Sequence, residues 1–182
     1  MNLDPSQSVY PVTAEQEDII ESILAVIVDN EPGVLARVVG LFSARGYNIE
    51  SLTVAETDDK RHRSRITIVT RGAPSTVDQI KTQLGRLVPV RRVSDVSREQ
   101  DALQRELALV KVVGEGDHRV EAMRMAEIFR ARAVDITHSS FVFEITGARD
   151  KINAFIDLMR PLGLSDVSRT GVLSIRRGVA KD

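Results

Sequence analysis

The hydrophobic positions along the chain predict an order of strands and helices that occurs twice. In the first half, residues 22–29 (SILAVIVD) are β-branched and almost continuously apolar, which is typical of a covered strand. From Val34 onward apolar residues recur at helical spacing, and Gly46 is the expected stop. The other predicted elements of this half are strands at 47–57, 64–70 and 88–96 and a helix at 76–87. The order is therefore β-α-β-β-α-β.

Both predicted helices of the first half have apolar residues at helical spacing. The first helix presents Leu35, Val38, Val39, Leu41 and Phe42, and the second presents Val77, Ile80, Leu84 and Leu87.

The second half repeats this order after a charged, helix-prone connector at 97–105. A strand is predicted at 106–113, and a short hairpin joins strands at 134–137 and 141–146. A helix is predicted at 118–131, between the first strand and this hairpin, and its inward residues are predicted to be Val120, Met123, Ile128 and Phe129.

Two blocks of self-similar sequence support the repeat. LFSARGYNI (41–49) matches IFRARAVDI (128–136) at an offset of 87, and DQIKTQLGRLVPV (78–90) lies over DKINAFIDLMRPL (150–162) at an offset of 72. The predicted fold class is α+β, with two ferredoxin-like βαββαβ domains. The expected division is a flexible tail at 1–20, a first domain at 21–97 and a second at 98–182.

This order places both helices on one face of a four-stranded antiparallel sheet, because β-α-β crossovers are right-handed. The other face stays bare, and an apolar bare face or an open edge strand favours association. Strand 107–113 is apolar at nearly every position, so we expect at least a homodimer.

Composition narrows the classes of partner. The formal net charge is -1, aromatic residues make up 4%, and Trp and Cys are absent. These values argue against nucleic acid, disulfides and thiolate metal sites. The sequence also shows no signal peptide and no membrane span, so a cytoplasmic protein is expected.

Residues 23–52, ILAVIVDNEPGVLARVVGLFSARGYNIESL, resemble the ACT domain of the acetohydroxyacid synthase small-subunit family. The specific part of this match is DNEPGVL followed by LFSARGYNIESL. The segments VRRVSDVS, RELALVKV, EIFRARAVDIT and SRTGVLSIRRG are also similar to the family, so the resemblance covers about 20–178.

The resemblance implies a non-catalytic regulatory dimer in branched-chain amino-acid biosynthesis. Such a subunit binds the thiamine-diphosphate-dependent catalytic large subunit, raises its activity and confers feedback inhibition by valine. Thiamine diphosphate, magnesium and FAD are expected only in the catalytic subunit, and no cofactor or metal is expected here.

The turn at 30–33 (NEPG) has the chemistry to bind a free amino acid. The amides of Gly33, Val34 and Leu35 begin a helix, where unpaired N–H groups favour a carboxylate. Asn30 and Asn48 offer donors and acceptors for the ammonium and the carboxylate. Apolar walls are expected from Val34, Leu35 and Ile49.

By resemblance, Asn30, Gly33, Leu35, Asn48 and Ile49 surround the effector and Ala55 lies near it. The resemblance also places the ligand between two ACT domains, so that the turn of one chain faces the Asn48 strand of its partner. Because one methylene changes binding by only about 1–3 kcal/mol, valine is not separated here from leucine or isoleucine.

The second copy lacks these features. It has Gly114-Glu115-Gly116-Asp117 in place of the turn, and Asp135 in place of Asn48. We expect a structural or subunit-binding role for this half.

The sequence evidence for a metal, catalytic or nucleic-acid site is weaker than that for the effector site. His62, His118 and His138 are expected to be solvated, and a metal site at Asp58, Asp59 and His62 is a less favoured alternative to a charged hairpin tip. Asp150 and Asp166 show no context of a general acid and base.

The basic cluster of Arg61, Arg63, Arg65, Arg91 and Arg92 indicates a solvated strand face, a docking surface or a nucleic-acid groove.

Two rival functions stay open. One is a stand-alone amino-acid-sensing ACT protein that regulates another enzyme. The other is an RNA-binding module, which shares the element order but needs exposed aromatic residues on its central strands.

Overall fold

The computed structural model describes residues 18–58, 62–98 and 102–178, and its first unit has the predicted element order. The elements are β1 (Ile20–Asp29), α1 (Val34–Arg45), β2 (Ser51–Asp58), β3 (Arg63–Gly72), α2 (Pro74–Gly85) and β4 (Val90–Asp95). Most of the predicted tail, Asp59 and Arg61 lie outside the described residues.

The second unit repeats the pattern and adds a strand. Its elements are β5 (Ala102–Val113), α3 (Gly116–Phe129), β6 (Arg132–Ile136), β7 (Ser140–Gly147), α4 (Arg149–Met159), a 3-10 turn (Arg160–Leu162), β8 (Leu164–Arg169) and β9 (Leu173–Arg176). The sequence pattern does not predict β9, and the expected helix-prone connector at 97–105 is wrong at 102–105, which is strand. The domain ranges 21–97 and 98–182 stay predictions.

The first sheet has the strand order β2-β3-β1-β4, with every pair antiparallel. Alternation along β1 directs Leu24, Val26 and Val28 to the helix-covered face, where all three are fully buried. They pack in one core with Val38 and Phe42 of α1 and with the predicted face of α2, formed by Val77, Ile80 and Leu84. The α+β fold with helices on one face is thus confirmed.

The second sheet has the order β6-β7-β5-β8, and its core is centred on aromatic residues. Phe143 and Phe155 are fully buried, and their rings meet edge to face at 6.1 Å.

The inward face of α3 differs from the prediction. Ala122 and Ala126 are buried, whereas Val120 and Ile128 are 68% and 63% exposed. Met123 and Phe129 are partly buried against the core, as expected.

The open face of the first sheet is not wholly bare, contrary to expectation. Strand β9 pairs with the start of β5, from Ala102↔Arg176 to Arg105↔Leu173, and this ribbon covers part of the sheet. Val172 and Val96 bury Ile23, Ala25 and Val69 in a third apolar cluster. Strand β9, which has no counterpart in the first unit, therefore joins the two units.

Polar contacts reinforce this junction. Arg65 donates to the carbonyl of Ser174 at 2.6 Å, and Arg149 donates to the Glu21 carboxylate at 2.7 Å. Behind them, the buried Glu106 accepts two hydrogen bonds of 2.7 Å from Arg169, and this hydrogen bonding raises the pKa of the Arg169 guanidinium.

Candidate functional site

The predicted turn projects from the end of β1 into solvent. The amide of Asn30 donates to the His62 carbonyl at 2.6 Å, which fixes the start of the turn, and Asn30 and Gly33 are exposed. Gly33 has φ +83°, a left-handed conformation that a side chain resists, and a Cβ built there meets nothing within 4 Å. The space above this glycine is therefore open.

The start of α1 has the free donors that an anion needs. The helix has no side-chain cap and no acidic residue in its first turn. The amide of Val34 donates to the Glu31 carbonyl at 3.3 Å, so the amides of Gly33 and Leu35 are the better candidates for a ligand.

The side chain of Val34 does not form a wall of this site. It is 7% exposed and packs in the core with Val38 and Phe42, because the first residue of α1 faces the sheet. Leu35, at 40% exposed, is the apolar side chain that remains beside the turn.

Asn48 lies in the segment before β2, where a buried residue fixes the backbone. The Thr70 hydroxyl, which is fully buried, donates to the Asn48 carbonyl at 2.6 Å. The exposed Asn48 side chain donates to the Glu50 carboxylate at 2.8 Å. Ile49 is partly buried against the first core, and Ala55 is exposed on β2.

One chain does not bring Asn30 and Asn48 together. Asn30 follows Asp29, which pairs with Arg63 at one end of β3, whereas Asn48 contacts Thr70 at the other end. The seven residue-to-residue steps from 63 to 70 span about 24 Å of extended strand. A ligand that touches both asparagines therefore has to bind between two chains.

Ion pairs neutralise the acidic side chains near the turn. Arg91 donates to both oxygens of the Asp29 carboxylate, and this hydrogen bonding lowers the pKa of Asp29. Arg37 pairs with Glu31 at 3.2 Å. The sequence pattern does not predict these partners, because Asp29 and Arg91 lie on strands far apart in sequence. The pairs reduce the repulsion that an incoming carboxylate would meet.

Family comparisons cover both units of the chain. Residues 24–92 match a family described as the AHAS small subunit-like ACT domain, and residues 105–178 match one described as the small subunit of acetolactate synthase. A probable acetolactate synthase small subunit from Archaeoglobus fulgidus is 46% identical over 158 residues, which are 87% of this chain and 98% of that protein. The chain belongs to the acetolactate synthase small-subunit family.

Other members of this family agree in length and fold. The acetolactate synthase isozyme 3 small subunit from Escherichia coli is 45% identical over 86% of this chain and 95% of its own length. The crystal structure of the acetolactate synthase small subunit from Thermotoga maritima matches with a TM-score of 0.81 and 35% identity, over 88% of this chain and 99% of that one.

The second unit of this family member lacks the predicted site features. Asp117 occupies the first turn of α3, and Asp135 is an exposed residue of β6. Both carboxylates would repel the carboxylate of an amino acid, so among the described residues the candidate effector site is the one in the first unit.

The remaining predicted candidates lie apart. His62, His118 and His138 are all exposed, and no group of three potential metal-ligating residues occurs within the ranges that the structure describes. Within the basic cluster, Arg91 donates to the Asp29 carboxylate and Arg65 donates to the Ser174 carbonyl. No helix in the described part of the chain is long and apolar enough to cross a membrane.

Proposed function

We propose that the chain is the regulatory, non-catalytic subunit of acetolactate synthase, that it activates the catalytic large subunit, and that it confers feedback inhibition by valine. Membership of the small-subunit family is the observation that carries this proposal. The exposed turn with unpaired amides supplies a place for an amino-acid effector.

A homodimer supplies the complete site in this proposal. Strand β2 is an edge of the first sheet, with Val54 43% exposed, so it is free to meet a second copy. A twofold axis at this edge reverses the direction of the partner sheet. The partner's Asn48 then lies at the same end as Asn30, and one dimer contains two equivalent sites.

Each group of the effector has a chemical counterpart in this arrangement. The carboxylate meets the amides of Gly33 and Leu35 at the positive end of α1. The ammonium meets the partner's Asn48 and Glu50, whose carboxylate already lies 2.8 Å from the amide nitrogen. Leu35 and the partner's Ile49 contact the branched side chain.

The large subunit is proposed to bind the second unit. Four apolar side chains of this unit, Val120, Ile128, Val134 and Ile136, are exposed on α3 and β6, which contact each other. Such a set on neighbouring elements is typical of a binding surface. It lies on the second unit, whereas the proposed effector site lies on the first.

Valine inhibits, in this proposal, by stabilising a dimer arrangement that activates the large subunit less well. A coupling of about 1–3 kcal/mol between effector and partner is sufficient, and it acts equally in both directions.

Reconstitution tests the proposal. The purified chain is added to a cognate catalytic subunit, and acetolactate formation is measured with and without valine, with leucine and isoleucine as controls. Activation that falls when valine is added is expected. Unchanged activity of the catalytic subunit over a saturating range of the chain would refute the proposal.

A further inference from the structure

A cleft on the open face of the first sheet has the properties of an anion site. Its floor consists of Ala25, Ile27 and Val96, and its volume is about 220 Å³. Arg65, Arg92 and Arg176 stand around this apolar floor, and none of the described residues that line the cleft is acidic. Arg176 comes from β9, so the two units of the chain form the cleft together.

The strand register sets the spacing of two of these cations. Ile27 pairs with Arg65 of β3 on one side and with Arg92 of β4 on the other. Directly opposed residues point to the same face, so both guanidinium groups flank Ile27, with Cα atoms about 10 Å apart. Two like charges in one row repel each other, and a bound anion would relieve that repulsion.

Most of the guanidinium N–H donors of Arg65 and Arg92 are available to a ligand. Arg65 uses one N–H for the Ser174 carbonyl, and a guanidinium has five. Arg92 is exposed and has no hydrogen-bond or ion-pair partner among the described residues. The next acidic residue on this face, Asp29, is bound by Arg91 and does not neutralise the charges of Arg65 and Arg92.

We infer that this arginine cleft binds a small organic dianion, either a dicarboxylate or a phosphate monoester. Guanidinium groups bind carboxylates and phosphates with the same paired geometry, so either group satisfies the cations. The volume fits a metabolite-sized anion, because pockets for larger ligands span about 300–1,000 Å³. This site is independent of the proposed valine site and uses different residues.

Calorimetric titration of the full-length chain tests the inference with three probes of similar size. Glutarate represents the carboxylates, glycerol phosphate represents the phosphates, and glutaramide is the neutral control. We expect at least one dianion to bind with a millimolar or lower dissociation constant that rises with salt, and glutaramide not to bind. The dianion that binds identifies the source of the charge.

Two matched variants locate the binding. Arg92→Gln should raise the dissociation constant about tenfold or more, because a charge-assisted contact is lost. Arg86→Gln removes the same charge from the exposed end of α2 and should change the dissociation constant less than about twofold. Methyl resonances of Ala25 and Ile27 should shift on titration.

Absence of binding by both dianions would overturn the inference. So would equal effects of the two variants, or resonance shifts confined to residues outside the cleft.

Discussion

Gly171 of the second unit packs directly against Ser51 of the first sheet. A Cβ at position 171 would lie 3.2 Å from both the Cβ and the Oγ of Ser51, and Gly171 has φ +78°. Beside it, the Thr53 hydroxyl donates to the Thr170 carbonyl at 2.9 Å. This close approach fixes the position of β9 on the sheet that contains the effector site.

Gly171→Ala is therefore expected to lower the free energy of unfolding by about 1–3 kcal/mol, from backbone strain and from contact with Ser51. Gly178→Ala is the matched control, because Gly178 has φ +68° and open space around it. Urea denaturation measures both. A loss at position 171 no larger than that at position 178 would show that the contact with Ser51 contributes nothing.

The packing of α3 shows where the sequence pattern was insufficient. Periodicity selected the large residues Val120 and Ile128, but the sheet is covered by Ala122 and Ala126, which are one turn apart. Small side chains let a helix approach a sheet closely, and the hydrophobic pattern gives little weight to alanine. In α2, where the large residues also face inward, the same reasoning was correct.

Strand β9 was missed for a different reason. Ala102 pairs with Arg176, so the register depends on residues 74 positions apart, and Gln104, Arg105 and Glu106 give the segment a polar, helix-like composition. Local pattern carries no information about such long-range pairing. The turn at 30–33 was predictable because its residues are contiguous, whereas the pairing of Asp29 with Arg91 was not.

Gly33→Asp is expected to abolish inhibition by valine and to leave activation of the large subunit intact. The new carboxylate would stand in the open space above the turn and repel the carboxylate of the effector. Acetolactate formation is measured with each variant over a range of valine concentrations. Gly40→Asp, at an exposed position within α1 that has open space around it, should remain inhibited. Lost activation by Gly33→Asp in a folded protein would contradict this separation of roles.

Asp29→Asn should make stability less dependent on pH in the acid range. The pKa of Asp29 is lowered in the folded state by its hydrogen bonds to Arg91, so this pair stabilises the protein above the unfolded pKa of 3.8. That stabilisation is lost as the pH falls through the folded pKa. Urea midpoints of wild type and variant should therefore differ near neutral pH and converge in acid. Arg91→Gln should show the same convergence, and a difference that persists in acid would refute the assignment.

Ile128→Asp should weaken binding of the large subunit about tenfold or more, because it puts a charge in the proposed apolar contact. Its free energy of unfolding should change by less than about 1 kcal/mol, since Ile128 is 63% exposed. Leu158→Asp, on α4 at 44% exposed, is the control. Surface plasmon resonance with the immobilised large subunit measures both, and equal affinities would place the contact elsewhere.

The turn at Gly33 and the Asn48 segment are proposed to act together only across two chains, because they lie at opposite ends of β3, which spans about 24 Å between residues 63 and 70. A mixed dimer tests this directly. One chain carries Gly33→Asp, the other carries Asn48→Ala, and differently tagged chains allow the mixed species to be purified. Calorimetry then counts valine sites.

Each homodimer of a single variant should bind no valine. The mixed dimer should bind one valine per dimer, because one of its two sites combines the intact turn of one chain with the intact Asn48 of the other. A mixed dimer that binds none, while wild type binds two, would show that each site is built within one chain and would contradict the account.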